Sequence, residues 1–114
     1  MLVNRNGISK VAFGLAVCTA MFVPNLRAVP DDAGAALYKT KCAACHGADG
    51  KGETPMGKAN KLRDFGSAEV QKQSNDELSG IITNGKGKMP AYGKSLKPEQ
   101  VSELVTYIRS FGKK

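Results

Sequence analysis

The clearest pattern of apolar and polar positions lies near the end of the chain. Pro98 stands at a position that a first helical turn accepts, and Gly112 follows the last apolar residue. Between them, apolar residues recur every three or four positions, which is the spacing of one helix face: Val101, Leu104, Val105, Ile108 and Phe111. The pattern predicts a C-terminal amphipathic helix with one buried face.

Two further helices are predicted upstream. Ser74 followed by Glu77 forms a capping box, which opens a helix that the Asn-Gly pair at 84–85 ends. The aspartates at 31–32 are suitable N-caps for a helix that runs from about Ala33 into the first cysteines of this region. Each of these helices therefore carries its own start signal in the sequence.

The segments between these helices are rich in glycine and lysine. Residues 47–63 and 86–94 are expected to be loops, and residues 67–73 a short helix. No segment alternates apolar and polar residues with the two-residue period of a strand. The predicted fold class is all-α.

The first 28 residues have a different character from the rest. Two basic side chains precede an uncharged apolar run over 11–23, Pro24 breaks that run, and Ala28 ends a suitable cleavage site. This order predicts a secretory signal peptide over 1–28 and a mature domain over 29–114, exported to the periplasm or an equivalent compartment. The apolar run is short for a membrane span, so no stable membrane insertion is expected after cleavage. An uncleaved membrane anchor is the alternative.

The charge balance limits the classes of partner. The whole chain carries +7, and the loss of Arg5, Lys10 and Arg27 with the predicted signal leaves +4. The remaining basic residues alternate with acids rather than cluster, which argues against nucleic-acid binding. A mild positive charge suits an acidic protein partner or an anionic surface.

The sequence Cys-Ala-Ala-Cys-His at 42–46 is the candidate chemical site. Residues at positions i, i+3 and i+4 share a helix face, so Cys42, Cys45 and His46 point the same way. Two thiols there can bond to the two vinyl groups of one haem while the imidazole reaches the iron. A zinc site would need four ligands, a thioredoxin-like pair would need a βαβ pattern, and a disulfide would leave His46 unexplained. The motif therefore predicts one covalently bound haem c.

The second axial ligand of such a haem is less tightly constrained. His46 is the only histidine, so a methionine, a lysine or an open position remains. Met89 lies in a segment, 86–93, whose glycines let the backbone pass close to a flat ring. Met56 could also reach the iron, but its loop is needed on the histidine side, and we interpret it as a core residue. We favour Met89 as the second iron ligand.

With these residues placed, the chain resembles the class I c-type cytochromes, in particular the small soluble monohaem cytochromes of cyanobacteria, plastids and bacteria. The similarity covers nearly all of 32–112. Residues 42–47 resemble the haem motif of the family, residues 50–55 its proximal loop, and residues 84–92 its distal ligand loop. The resemblance implies three to five helices wrapped round one covalently attached haem.

The resemblance also implies roles for individual residues. It implies that the Pro55 carbonyl accepts a hydrogen bond from His46 and so orients it. It implies that the C-terminal helix crosses the N-terminal helix, which would bring Tyr38 and Tyr107 together. The chain departs from typical members in having no tryptophan.

The expected function is outer-sphere electron transfer with His/Met ligation, the iron cycling between Fe(III) and Fe(II). Lys86, Lys88 and Lys94 are expected to steer acidic redox partners, in a chain that acts as a monomer. No catalytic activity is expected, because no acid–base or nucleophile constellation remains once the histidine is bound to iron. A haem sensor with a displaceable ligand and a dedicated subunit of a larger oxidoreductase are the alternatives. Carbon monoxide binding would identify the first and co-purification the second.

Overall fold

The computed structural model describes residues 14–16, 19, 21 and 31–114. The predicted signal peptide over 1–28 lies, apart from those five positions, outside the described residues. Six helices are present in the described part: α1 Asp31–Lys41, α2 Ala43–His46, α3 Pro55–Ala59, α4 Ala68–Gln71, α5 Asn75–Asn84 and α6 Pro98–Phe111. This part contains no strand, and a single β-bridge joins Lys86 to Met89. The all-α fold class is confirmed.

Crossing a lipid bilayer sets a minimum length for an apolar helix. A spanning helix needs about 20 consecutive apolar residues. No helix among the described residues combines the length and the apolar character that a membrane span requires.

The core forms where α6 packs against α1 and α5. The predicted apolar stripe of α6 is buried in full, from Val101 to Phe111. Tyr38 of α1 is only 2% exposed, and its ring centroid lies 5.0 Å from that of Tyr107 on α6. The expected crossing of the first and last helices, with the two tyrosines in contact, is confirmed.

Gly34 allows α1 and α6 to approach each other closely where they cross. A Cβ atom at this position would overlap the Glu103 carbonyl oxygen of α6 and would lie 3.2 Å from the Tyr107 Cβ. The absent side chain therefore lets the backbone of α1 lie directly on α6. The crossing holds α1, the helix that leads into the cysteine motif, against α6.

The start of α5 forms as the sequence predicts. The Ser74 hydroxyl accepts a hydrogen bond from the Glu77 backbone N–H at 3.1 Å, and the Glu77 carboxylate accepts one from the Ser74 N–H at 2.7 Å. The short helix predicted at 67–73 is also present as α4, where Ser67 accepts from the Val70 N–H. Local capping chemistry thus determines where both helices begin.

The prediction that 47–63 is a loop throughout is wrong for part of the segment. Helix α3 begins at Pro55, and the Thr54 hydroxyl caps it by accepting a hydrogen bond from the Gly57 N–H at 2.9 Å. The Thr-Pro pair is itself a helix start signal, since threonine is a good N-cap and proline suits the first turn. The high glycine and lysine content of the segment obscured this signal.

Arg109 of α6 fastens the chain that precedes α5. Its guanidinium donates hydrogen bonds to the Gln71 carbonyl at 2.8 Å, to the Gln73 carbonyl and to the Asn75 side chain. The Gln71 amide donates in turn to the Phe65 carbonyl at 2.6 Å. This network fixes the segment that carries Phe65, whose ring stacks on that of His46.

Candidate haem site

The cysteine motif forms a single helical turn at the end of α1. Only Cys42 separates α1 from α2, and its N–H donates to the Tyr38 carbonyl at 2.9 Å. The Cys42 carbonyl accepts from the N–H groups of Cys45 at 3.2 Å and His46 at 2.9 Å. The motif therefore has the helical geometry on which the expected common face of Cys42, Cys45 and His46 depends.

The two thiols are free and half-buried. Burial, with a smaller contribution from the neighbouring Cys45 thiol, raises the pKa of Cys42 to about 11. The Cys42 thiol is therefore protonated at neutral pH. Two adjacent reduced thiols on one helical turn suit the formation of two thioether bonds to one ligand.

His46 is held from one side by an aromatic ring. Phe65 stacks on the imidazole, with ring centroids 4.4 Å apart and an interplanar angle of 23°. Burial lowers the pKa of His46, which favours the neutral imidazole that binds metal ions. Nothing in the sequence marks Phe65 as a neighbour of His46, because the intervening loop brings the two together.

The nitrogen Nδ1 of His46 is buried and has no hydrogen-bond partner. The bond from His46 to the Pro55 carbonyl is therefore not formed in this structure, where Pro55 is an exposed residue at the start of α3. That role of Pro55 stays a prediction. A buried polar atom without a partner is uncommon in folded proteins, and here it is consistent with an imidazole prepared for a further ligand.

A cavity of about 270 Å³ opens beside His46. Its apolar wall consists of Leu62, Phe65, Val70, Leu78, Ile81, Ile82, Met89 and Ile108. His46 and Met89 therefore line the same cavity although 43 residues separate them, whereas Cys42 and Cys45 lie on the adjoining turn and do not line it. The cavity brings together the two residues expected to bind the iron.

The polar lining of the cavity carries positive and no negative charge, beside the neutral side chains of Asn60 and Gln73. It includes Lys61, Arg63 and Lys86, and none of its lining residues is acidic. An apolar wall with cations beside it fits a haem, which has a flat apolar ring and two propionate carboxylates. The residues present therefore fit this cofactor, and the sequence did not single out Lys61 or Arg63.

Met56 does not contribute to this site. It is 56% exposed on α3 and does not line the cavity. The prediction that Met56 is a core residue is wrong, because the buried position of this one-turn helix is taken by Gly57. Met89, in contrast, is half-buried and packs against the core.

The chain around Met89 forms a closed turn. Lys86 and Met89 exchange two backbone hydrogen bonds, of 3.2 and 3.0 Å. Gly85 precedes the turn with a φ of +74°, and a Cβ there would lie 2.7 Å from the Met89 carbonyl oxygen. Glycine is required at this position for both reasons. The turn therefore fixes the backbone of Met89 close to the end of α5.

Comparison with known proteins gives consistent matches. Residues 29–108 match the family described as cytochrome C oxidase, cbb3-type, subunit III. Cytochrome c6 from Nostoc sp. is 33% identical over 100 residues, covering 88% of this chain and 87% of the relative. The cbb3-type cytochrome c oxidase subunit CcoP from Rubrivivax gelatinosus is 38% identical over 96 residues, but the match spans only 31% of that longer subunit.

Solved structures show the same similarity. The KustC0563 c-type cytochrome superposes with a TM-score of 0.64 at 36% identity, covering 68% of this chain and 95% of that one. Cytochrome c6 from the diatom Phaeodactylum tricornutum superposes with a TM-score of 0.57 at 23% identity, which supports the fold. These matches, with a site that fits the cofactor, establish one covalently bound haem c. The chain therefore belongs to the family of the cbb3-type subunit III cytochrome domain and is a small class I c-type cytochrome, a monohaem electron carrier.

Proposed function

We propose that the chain is a soluble, exported electron carrier in which Cys42 and Cys45 hold the haem covalently and His46 and Met89 bind its iron. One observation carries this proposal: His46 and Met89 line one apolar cavity, and both thiols lie on the helical turn that leads into it. When bound, the haem supplies an iron that is reduced and oxidised between Fe(III) and Fe(II).

The chain's own residues would set the reduction potential of the haem iron. Ligation by one methionine and one histidine would favour a high reduction potential, because the thioether is a neutral, soft donor. The apolar cavity wall disfavours the additional charge of Fe(III) and acts in the same direction. With His46 and Met89 both bound to the iron, no position would remain for a substrate, so transfer would be outer-sphere and the chain would have no catalytic activity of its own.

A pair of methionine variants tests the ligand assignment. In Met89→Ala, the ferric protein should lose the weak long-wavelength iron–methionine band, and the ferrous protein should bind carbon monoxide. Met56→Ala is the matched control, since the Met56 side chain is exposed and Met56 does not line the cavity. It should retain the band and exclude carbon monoxide. The assignment is wrong if Met56→Ala loses the band or if Met89→Ala keeps it.

The proposed partners are redox proteins with acidic docking surfaces, such as membrane or periplasmic oxidoreductases. Lys86, Lys88 and Lys94 are all exposed in or beside the Met89 turn. Relatives named as cbb3-type oxidase subunits support an oxidoreductase partner. Exposed cations accelerate encounter with an acidic surface, and salt screens this effect over about 8–10 Å.

The dependence of the electron-transfer rate on salt concentration tests whether these lysines steer an acidic partner. Replacing Lys86, Lys88 and Lys94 with glutamine should slow electron transfer to an acidic partner at low salt and remove most of the dependence on ionic strength. A control with the same loss of charge replaces three exposed lysines elsewhere in the sequence: Lys51, Lys72 and Lys113. Equal effects of the two triple variants would show that net charge, rather than a local docking surface, controls the rate.

Export is proposed from residues 1–28 of the sequence. The N-terminal sequence of the protein recovered from the periplasmic fraction should begin at Val29. Recovery of the intact chain in the membrane fraction would instead support a retained anchor.

A further inference from the structure

The segment that carries Met89 is joined to the cysteine motif by one side chain. The Tyr92 hydroxyl donates a hydrogen bond to the Lys41 carbonyl at 3.0 Å, across 51 residues of sequence. Lys41 is the last residue of α1 and directly precedes Cys42. This bond therefore links the turn of the proposed distal ligand to the turn of the proposed covalent attachment.

The other hydrogen bonds of the segment that carries Met89 attach it to a different helix. The Tyr92 N–H donates to the Ile82 carbonyl, and the Gly93 N–H to the Thr83 carbonyl, both at 3.0 Å. These bonds hold the segment on α5. Among residues 31–114, no other hydrogen bond connects 86–96 with 31–47. The hydrogen-bonded link between the two halves of the site thus depends on a single hydroxyl group.

The surroundings of Tyr92 agree with this placement. Burial, with smaller contributions from the thiols of Cys42 and Cys45, raises the pKa of the Tyr92 hydroxyl. The half-buried ring packs against the core cluster, as Met89 and Cys42 also do. Removing the hydroxyl alone would leave the packing of the ring in place.

We infer that the Tyr92 hydroxyl is a positioning group that keeps the Met89 sulfur over the haem by tying its turn to α1. The inference rests on the proposed ligation by Met89. A haem bonded to 42–46 moves with that turn, whereas Met89 moves with α5. Without the bond between Tyr92 and Lys41, the two would separate more often, and the sulfur would leave the iron for a competing ligand.

Imidazole binding to the ferric holoprotein measures directly how often the Met89 sulfur leaves the iron. Imidazole competes with methionine for the iron, so its apparent affinity reports how often the sulfur is away. In Tyr92→Phe the affinity should rise about two- to tenfold, because a hydrogen bond of this kind has a net value of about 0.5–1.5 kcal/mol and 1.4 kcal/mol corresponds to tenfold. Binding of carbon monoxide to the ferrous variant should increase in the same direction.

Tyr107→Phe is the matched control. It makes the same chemical change on α6, where the Tyr107 hydroxyl donates no hydrogen bond to another residue in 31–114. Its imidazole affinity should equal that of the unmodified protein. A Tyr92→Phe variant that unfolds at lower temperature but binds imidazole with unchanged affinity would overturn the inference, as would an equal rise in Tyr107→Phe.

The spectrum of the unmodified protein separates this inference from the function it rests on. If that protein shows no iron–methionine band and binds imidazole freely, ligation by Met89 is wrong, and the role of Tyr92 falls with it. If the band is present and Tyr92→Phe has no effect on imidazole affinity, only the role of Tyr92 is wrong.

Discussion

The close crossing of α1 and α6 at Gly34 leads to a quantitative prediction. In Gly34→Ala, the added methyl carbon would overlap the Glu103 carbonyl oxygen and lie 3.0 Å from its carbonyl carbon. Backbone atoms inside a helix cannot rotate away as a flexible side chain can. The two helices must therefore move apart, and the packing of Tyr38 against Tyr107 must change with them.

The size of the effect follows from two opposing contributions. Overpacking a core contact costs about 1–3 kcal/mol. The higher helix propensity of alanine returns about 0.5–1 kcal/mol. The net loss in the free energy of unfolding should be about 1–2 kcal/mol, which lowers the melting temperature of a domain of this size by about 5–15 °C. Thermal unfolding of the haem-loaded protein, followed by far-ultraviolet circular dichroism, measures it.

Gly80 provides the matched control. It lies within α5, and a Cβ there would meet no atom within 4 Å. Gly80→Ala should therefore stabilise the protein by about 0.5–1 kcal/mol through helix propensity alone. If Gly34→Ala raises the melting temperature as much as Gly80→Ala does, α1 and α6 do not approach each other closely at Gly34.

Three further predictions concern contacts that hold the site in place. Arg109→Gln removes charge-assisted hydrogen bonds to the carbonyls of Gln71 and Gln73. The free energy of unfolding, measured by urea denaturation, should fall by about 2–3 kcal/mol, and a loss below about 0.5 kcal/mol would contradict the network. Leu104→Ala, at a position 1% exposed, should cost about 2–5 kcal/mol in the same assay, and a near-neutral result would mean that this face of α6 is not buried. Ser74→Ala should cost about 1 kcal/mol by removing the cap of α5, an effect that Ser74→Asp should largely restore.

The parts of the fold that depend on local sequence could be predicted well. The spacing of apolar residues located α6, and the Ser-x-x-Glu capping box located the start of α5, because both signals act within one or two helical turns. The Cys-x-x-Cys-His spacing indicated the chemistry for the same reason. Helix α1 begins at Asp31, two residues before the expected start, which is the usual uncertainty of a helix boundary.

The remaining features depend on contacts between distant segments. The stacking of Phe65 on His46 and the bond from Tyr92 to Lys41 each join residues that only the folded chain brings together. The exposure of Met56 follows from a short helix that the composition of its segment concealed. No local pattern encodes which methionine lines the cavity, so the sequence could favour Met89 only through the glycines around it and through the expected place of the Met56 loop on the histidine side.

The most direct test of the central claim is the optical spectrum of the mature protein, recorded oxidised, reduced, and reduced under carbon monoxide. Ligation of the haem iron by His46 and Met89 predicts a c-type spectrum, with a weak long-wavelength iron(III)–methionine band when oxidised and no change on addition of carbon monoxide. A c-type spectrum without that band, which shifts when carbon monoxide is added, would contradict ligation by Met89 and support a sensor with an open site. Protein that carries no haem after expression with a working maturation system would contradict covalent attachment at Cys42 and Cys45 and the whole electron-carrier function.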